Sequence, residues 1–135
     1  MTTKPRFDVR WIVLASLVLA FMAGRYVAAQ TKAAAAPTVT PIETVWKTRT
    51  TLAGKMVTVR GKVMKFNGGI LGVNWIHLQD GSGKEADRTN DITVTSDAEA
   101  KIGETITATG VVGINKDLGS GYNSPVIIEK AKLTR

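Results

Sequence analysis

Two glycine-hinged runs of alternating apolar residues constrain the fold of this chain more than any other feature. Gly54–Val63 reads GKMVTVRGKV, and Gly103–Val112 reads GETITATGVV. Aligned without gaps, they share Gly54/Gly103, Thr58/Thr107, Gly61/Gly110 and Val63/Val112. Val57 and Val59 match Ile106 and Ala108 as an apolar set of period two, the pattern of a strand with one buried face. A glycine inside such a run marks a bulge or a tight bend, because the missing side chain lets the strand coil sharply. Two long strands bent by one device predict a small sheet that curls toward closure. The pattern G-x-x-V-x-V-x-G is also common among β-strands generally, so the echo is compatible with two unrelated strands.

The remaining runs fall between turns. Asn74–Asp80, NWIHLQD, places Ile76 and Leu78 on one face and Trp75, His77 and Gln79 on the other. Gly81-Ser82-Gly83-Lys84 ends it. Asp91–Ser96 is short, with Ile92 and Val94 inward, and Pro125–Ala131 follows the Gly119-Ser120-Gly121 loop. The expected strands are 56–66, 74–80, 91–96, 104–113 and 124–133. Short helices are expected at Glu43–Leu52, before the first strand, and at Asp97–Lys101, between the third and fourth. This is an all-β domain, and five strands with a connector after the third describe a five-stranded OB-fold Greek-key barrel. An SH3-like barrel and a small sandwich are the alternatives.

Ahead of the domain, Lys4, Arg6 and Arg10 precede Trp11–Ala23, thirteen residues without a charge. That is a basic segment followed by an apolar run of signal-peptide length, with Val27 and Ala29 spaced for cleavage before Gln30. A spanning helix needs roughly 20 apolar residues. Residues 1–29 are therefore read as a signal peptide, with an uncleaved N-terminal membrane anchor as the alternative. Both place the remainder in the periplasm or otherwise outside the cytoplasm, anchored to the inner membrane by residues 11–29 if uncut. Residues 30–42, Ala-rich with Pro37 and Pro41, read as a linker, and 43–135 as the domain. The chain's net charge is +7, but residues 30–135 hold 14 basic and 10 acidic residues, a milder +4. That charge suits a polyanion-binding surface and equally an ordinary solubilising one.

With GKMVTVRGKV before it, Trp75–Gly83 (WIHLQDGSG) resembles the first two strands of the OB-fold domains that read anticodons in class II tRNA synthetases. There an aromatic-led strand ends in L-R-D-G; here Gln79 stands in place of the Arg. Taken together, GKMVTVRGKV, GILGVNWIHLQDGSG, DITVTS, GETITATGVVGINKDLGSGY and VIIEKA are more similar to a family of small exported bacterial OB-fold proteins. Those proteins are often labelled nucleotide- or DNA-binding from fold alone, and some occur beside periplasmic cytochrome and respiratory systems. The resemblance covers about residues 54–131 and implies the fold and the export. The ligand it implies is itself inferred from architecture.

OB-folds bind oligonucleotides and oligosaccharides across strands two and three and the adjoining loops. The expected ligand-binding residues are accordingly Asn74, Trp75, His77 and Gln79, with Lys116 and Tyr122 from the loop between strands four and five. Arg60 and Lys65 complete a possible electropositive rim. Each has an ordinary structural alternative: Trp75 capping the barrel, His77 bonded to a neighbouring strand, the loops merely turning. The loop Asn67–Gly72 offers three glycines and the apolar pair Ile70 and Leu71. With no Cys and one His, disulfide frameworks, zinc ribbons and His-cluster metal sites are excluded within one chain. Asp80-Gly81-Ser82-Gly83 lacks the ligand ladder of a calcium loop. No nucleophile motif is present, and Ser82, His77 and Asp80 are neighbours on one strand end that point to different faces. The expectation is a non-catalytic module without cofactor or metal. Its partner is single-stranded nucleic acid or another polyanion, or alternatively an envelope protein serving redox enzymes. A carbohydrate is a third class.

Overall fold

A computed structural model of the chain describes residues 36–135. The expected signal or anchor segment at 1–29 and the first part of the expected linker lie outside the described residues. Among the described residues, no helix is long and apolar enough to cross a membrane. Two short helices, α1 (Ile42–Lys47) and α2 (Arg49–Leu52), precede five strands. These are β1 (Met56–Ile70), β2 (Val73–Gln79), β3 (Ile92–Ser96), β4 (Thr105–Asp117) and β5 (Asn123–Thr134). The mixed sheet closes in a ring of order β1-β2-β3-β5-β4, with β4 returning to β1. Every ladder is antiparallel except β3–β5, a parallel seam of Thr93↔Ile127 and Val94↔Ile128 alone.

The inward alternation read from sequence fills the ring. Val57, Val59, Val63, Ile76, Leu78, Ile92, Val94, Ile106 and Ala108 are all buried in one apolar cluster with Val112, Val126 and Ile128. The hinge glycines serve close approach. A Cβ on Gly61 would lie 2.7 Å from the Gln79 carbonyl oxygen, where β1 passes from pairing with β4 to pairing with β2. A Cβ on Gly110 would meet the Glu129 carbonyl oxygen at the same distance, and the β4–β5 register shifts there. One sequence device therefore brings β2 against β1 and kinks β4 against β5.

The helix before β1 forms; the one expected over Asp97–Lys101 does not. That stretch is a bend followed by irregular backbone. Its backbone donors are captured locally: Ser96 Oγ accepts the Ala98 N–H and Glu104 Oε1 accepts the Lys101 N–H. Such side-chain bonds compete with a helix, which at this length has no packing face to favour it. Instead α1 contributes to the core, burying Ile42 and Val45.

Pro41, at its N-cap, makes no side-chain cap. The first helical donors are met from the turn after β2: Ile42 N–H donates to Asp80 Oδ2 at 2.8 Å and Glu43 N–H to Ser82 Oγ at 3.0 Å. Asp80 Oδ1 in turn accepts from the Ser82 N–H and hydroxyl. Partial burial pushes the Asp80 carboxyl up, but these hydrogen bonds from Ser82 and Ile42 outweigh it and hold the group below the usual carboxylate range. The Asp80-Gly81-Ser82 turn is thus a helix cap delivered from a distant part of the chain. The folded body also takes in residues ahead of α1, since Val39 bridges to Thr58 and Thr40 N–H donates to its carbonyl at 2.7 Å.

Candidate functional site: a groove between two hairpins

With Ile76 and Leu78 turned inward, the outer face of β2 presents Trp75, His77 and Gln79. Register sets their neighbours. His77 lies opposite Lys65 on β1 and Thr93 on β3, and Trp75 lies opposite Asn67 and Thr95. Strict alternation along β1 would turn Lys65 inward with Val63. A register shift between Val63 and Lys65 adds Met64 to the strand, so Met64 and Lys65 are both exposed and Lys65 joins the outer row. Sequence periodicity carries no sign of that shift.

Two hairpins flank this face. β1 continues through Ile70, so most of the expected Asn67–Gly72 loop is strand and only Leu71-Gly72 turns. Both turn residues have positive φ, +55° at Leu71 and +80° at Gly72, as in a two-residue type I′ turn. Asparagine or glycine is the usual residue at Leu71's place; here a leucine stands 77 % exposed beside Ile70 at 51 %. The opposite hairpin turns over Leu118–Tyr122 between β4 and β5. Leu118 and Tyr122 are joined there by the Leu118 N–H to the Tyr122 carbonyl at 2.8 Å, and Tyr122 is 75 % exposed. Between the hairpins lies a groove of about 920 Å³, also lined by Asn90, Asp91 and Trp46.

The groove unites Lys65, Trp75, His77, Gln79 and Tyr122. Three other expected residues lie elsewhere. Asn74 has the parity of Ile76, not of Trp75: its Oδ1 accepts the Gly69 N–H, and its amide donates to the Asp97 and Ala98 carbonyls, pinning two loops. Arg60 donates to Thr107 Oγ1 on the β1–β4 face and lines a separate hollow of about 500 Å³ with Lys62 and Met64. Lys116 pairs with Glu129 at 3.3 Å, lying across the backbone that Gly113 leaves bare. The sequence reading missed Trp46 and Arg88. Trp46 sits one residue after the buried Val45 on α1, and its indole N–H donates to the Asp91 carbonyl at 2.7 Å. Its spacing from Ile42 could have placed it on the buried side of a helix, but nothing in sequence links it to Asp91.

Internal bonds fix both tryptophans. The Trp75 indole N–H donates to the Ile70 carbonyl at 2.8 Å, leaving ring surface rather than a donor for any ligand. His77 Nδ1 meets Asp91 Oδ1 at 2.7 Å. With the proton on Nδ1, the neutral ring keeps Nε2 as an acceptor. Ser82 is bonded to Asp80 and His77 to Asp91, so the three do not form a nucleophile relay. Among the described residues there is no cluster of three or more metal-ligating side chains. Formal charges in the groove balance, Lys65 and Arg88 against Glu85 and Asp91. Asn67, Gln79, Asn90 and Asn123 supply planar amides around the aromatic rings. Compared with known proteins, the chain matches no family model and no curated sequence.

Proposed function

We propose that the chain is a non-catalytic binding module with the OB-fold, taking an extended ligand across the outer faces of β2 and β3. The strand order β1-β2-β3-β5-β4, with its one parallel seam between β3 and β5, favours the OB-fold over the SH3-like barrel and the sandwich. The observation that carries the binding reading is convergence: Lys65, Trp75, His77, Gln79 and Tyr122 reach one groove from three separate segments. The grip is by ring surface and hydrogen bonding, with little net counter-charge.

That balance narrows the nucleic-acid reading. Lys65 and Arg88 can meet one or two phosphates, while Glu85 and Asp91 oppose more, and Arg60 and Lys116 lie outside. Fluorescence titration with a single-stranded oligothymidylate of about 12 nucleotides tests it. A log–log salt slope no steeper than about −2 is expected; a slope near −4 or steeper restores a polyanion site. A partner protein in the cell envelope is the second reading, favoured by the exposed Ile70, Leu71 and Tyr122. For any ligand, the groove reading requires weaker binding by Tyr122→Ala and unchanged binding by Arg60→Ala. The reverse pattern overturns it. Export by residues 1–29 sets this module outside the cytoplasm, and the mass of the mature N-terminus tests whether the segment is cut.

A further inference from the structure

We infer that the ligand of this groove is a neutral oligosaccharide, an inference that rests on the groove being the binding surface. Three observations separate this class from the others. Charge is the first. A nucleic-acid strand brings one negative charge per nucleotide, and the groove meets it with two cations set against two carboxylates. A neutral sugar chain needs no counter-charge.

Backbone pairing is the second. An extended peptide in a groove gains most of its affinity by adding to an unpaired strand edge. The floor here offers none: β2 is paired on both sides, to β1 and to β3. Among the groove-lining segments that pair on one side only, the start of β5 is blunted, because Pro125 has no N–H and the Val126 carbonyl already accepts the Ser124 hydroxyl at 2.9 Å.

The third observation is the match of side chains. The C–H groups on one face of a pyranose are weakly positive and rest against the negative face of an aromatic ring. Trp75 offers such a face on the groove floor, held in place by its bond to Ile70, and Tyr122 offers another on the facing hairpin. Sugar hydroxyls present donor and acceptor together, often on adjacent carbons. Planar amides and carboxylates answer that pattern with paired groups, as Gln79, Asn90 and Glu85 do around the rings. A groove of about 920 Å³ has room for more than one sugar unit.

The test is a titration of the full-length chain with chitotetraose, cellotetraose and maltotetraose, each to about 10 mM, the weak end of single-site affinities. At least one is expected to bind. Its affinity should change less than about twofold between about 0.05 and 0.5 M salt. It should fall about tenfold or more in Tyr122→Ala and in Trp75→Phe, which keeps an apolar ring while reducing the stacking surface. Arg60→Ala should bind as the parent does. If none of the three binds, the sugar inference is overturned. If oligothymidylate binds instead and Tyr122→Ala weakens it, the groove still stands as the binding surface. If a sugar binds and both groove variants bind it as tightly as the parent, the groove reading falls together with the inference.

Discussion

The two ends of β2 make opposite use of their polar groups. At the Asp80 end, both carboxylate oxygens, the Ser82 hydroxyl and the first donors of α1 are bonded to one another. At the Trp75 end the indole N–H and one His77 nitrogen are bonded, while the ring faces, amides and exposed Leu71 and Tyr122 are left facing a groove. The first arrangement stabilises the fold. The second includes a leucine in a backbone conformation that costs an L-residue free energy. Apolar exposure combined with backbone strain at this end is the feature that the proposed ligand groove accounts for.

Breaking the stabilising end should give the largest effects. Leu78→Ala empties a fully buried position beneath the groove and should cost about 2–5 kcal/mol in denaturant unfolding. A loss under about 1 kcal/mol would mean that the ring is not closed on a packed core. Gly61→Ala places a methyl 2.7 Å from a backbone oxygen that cannot step aside, and should cost about 1–3 kcal/mol. A neutral result would show that β1 and β2 do not approach as closely as described.

Asp80→Asn sharpens the contrast through pH. The folded carboxyl is held below its ordinary value, so its contribution is complete above the unfolded value near pH 4. As pH falls through the lowered folded value, that contribution is lost. The variant should lose about 1 kcal/mol at neutral pH, and the difference from the parent should shrink in acid. A difference that grew as pH fell would contradict the cap. The smallest effect belongs to the other end of β2. Leu71→Asn should raise stability by about 0.5–1 kcal/mol, since asparagine tolerates positive φ and the lost leucine is mostly exposed. A destabilised Leu71→Asn would place Leu71 among the residues that hold the hairpin.

Much of this was legible in residues alone. Period-two alternation placed Ile76, Leu78, Ile92, Val94, Ile106 and Ala108 inward, because burial on one face leaves that trace whatever the partner strand. The outward set Trp75, His77 and Gln79 followed from the same parity. Asn74 has the opposite parity to that set, and the fold turns it to the loops it pins. Lys65 reaches the groove through a register shift that no alternation shows, and Arg60, without such a shift, stays on the β1–β4 face. The capping role of the Asp80–Ser82 turn leaves no trace in sequence, because its partner, the start of α1, lies far away along the chain. The helix over Asp97–Lys101 failed because Ser96 and Glu104 capture its donors, a competition propensity does not weigh.

Backbone amide shift mapping of the full-length chain, with chitotetraose and oligothymidylate added in turn, tests the groove most directly. For whichever ligand binds, the largest shifts are expected along residues 65–77 and 118–126, with Asp91 and Thr93 among them. Largest shifts at Arg60, Lys62, Thr105 and Thr107, with Trp75 and Tyr122 unmoved, would place binding on the β1–β4 face and contradict the account.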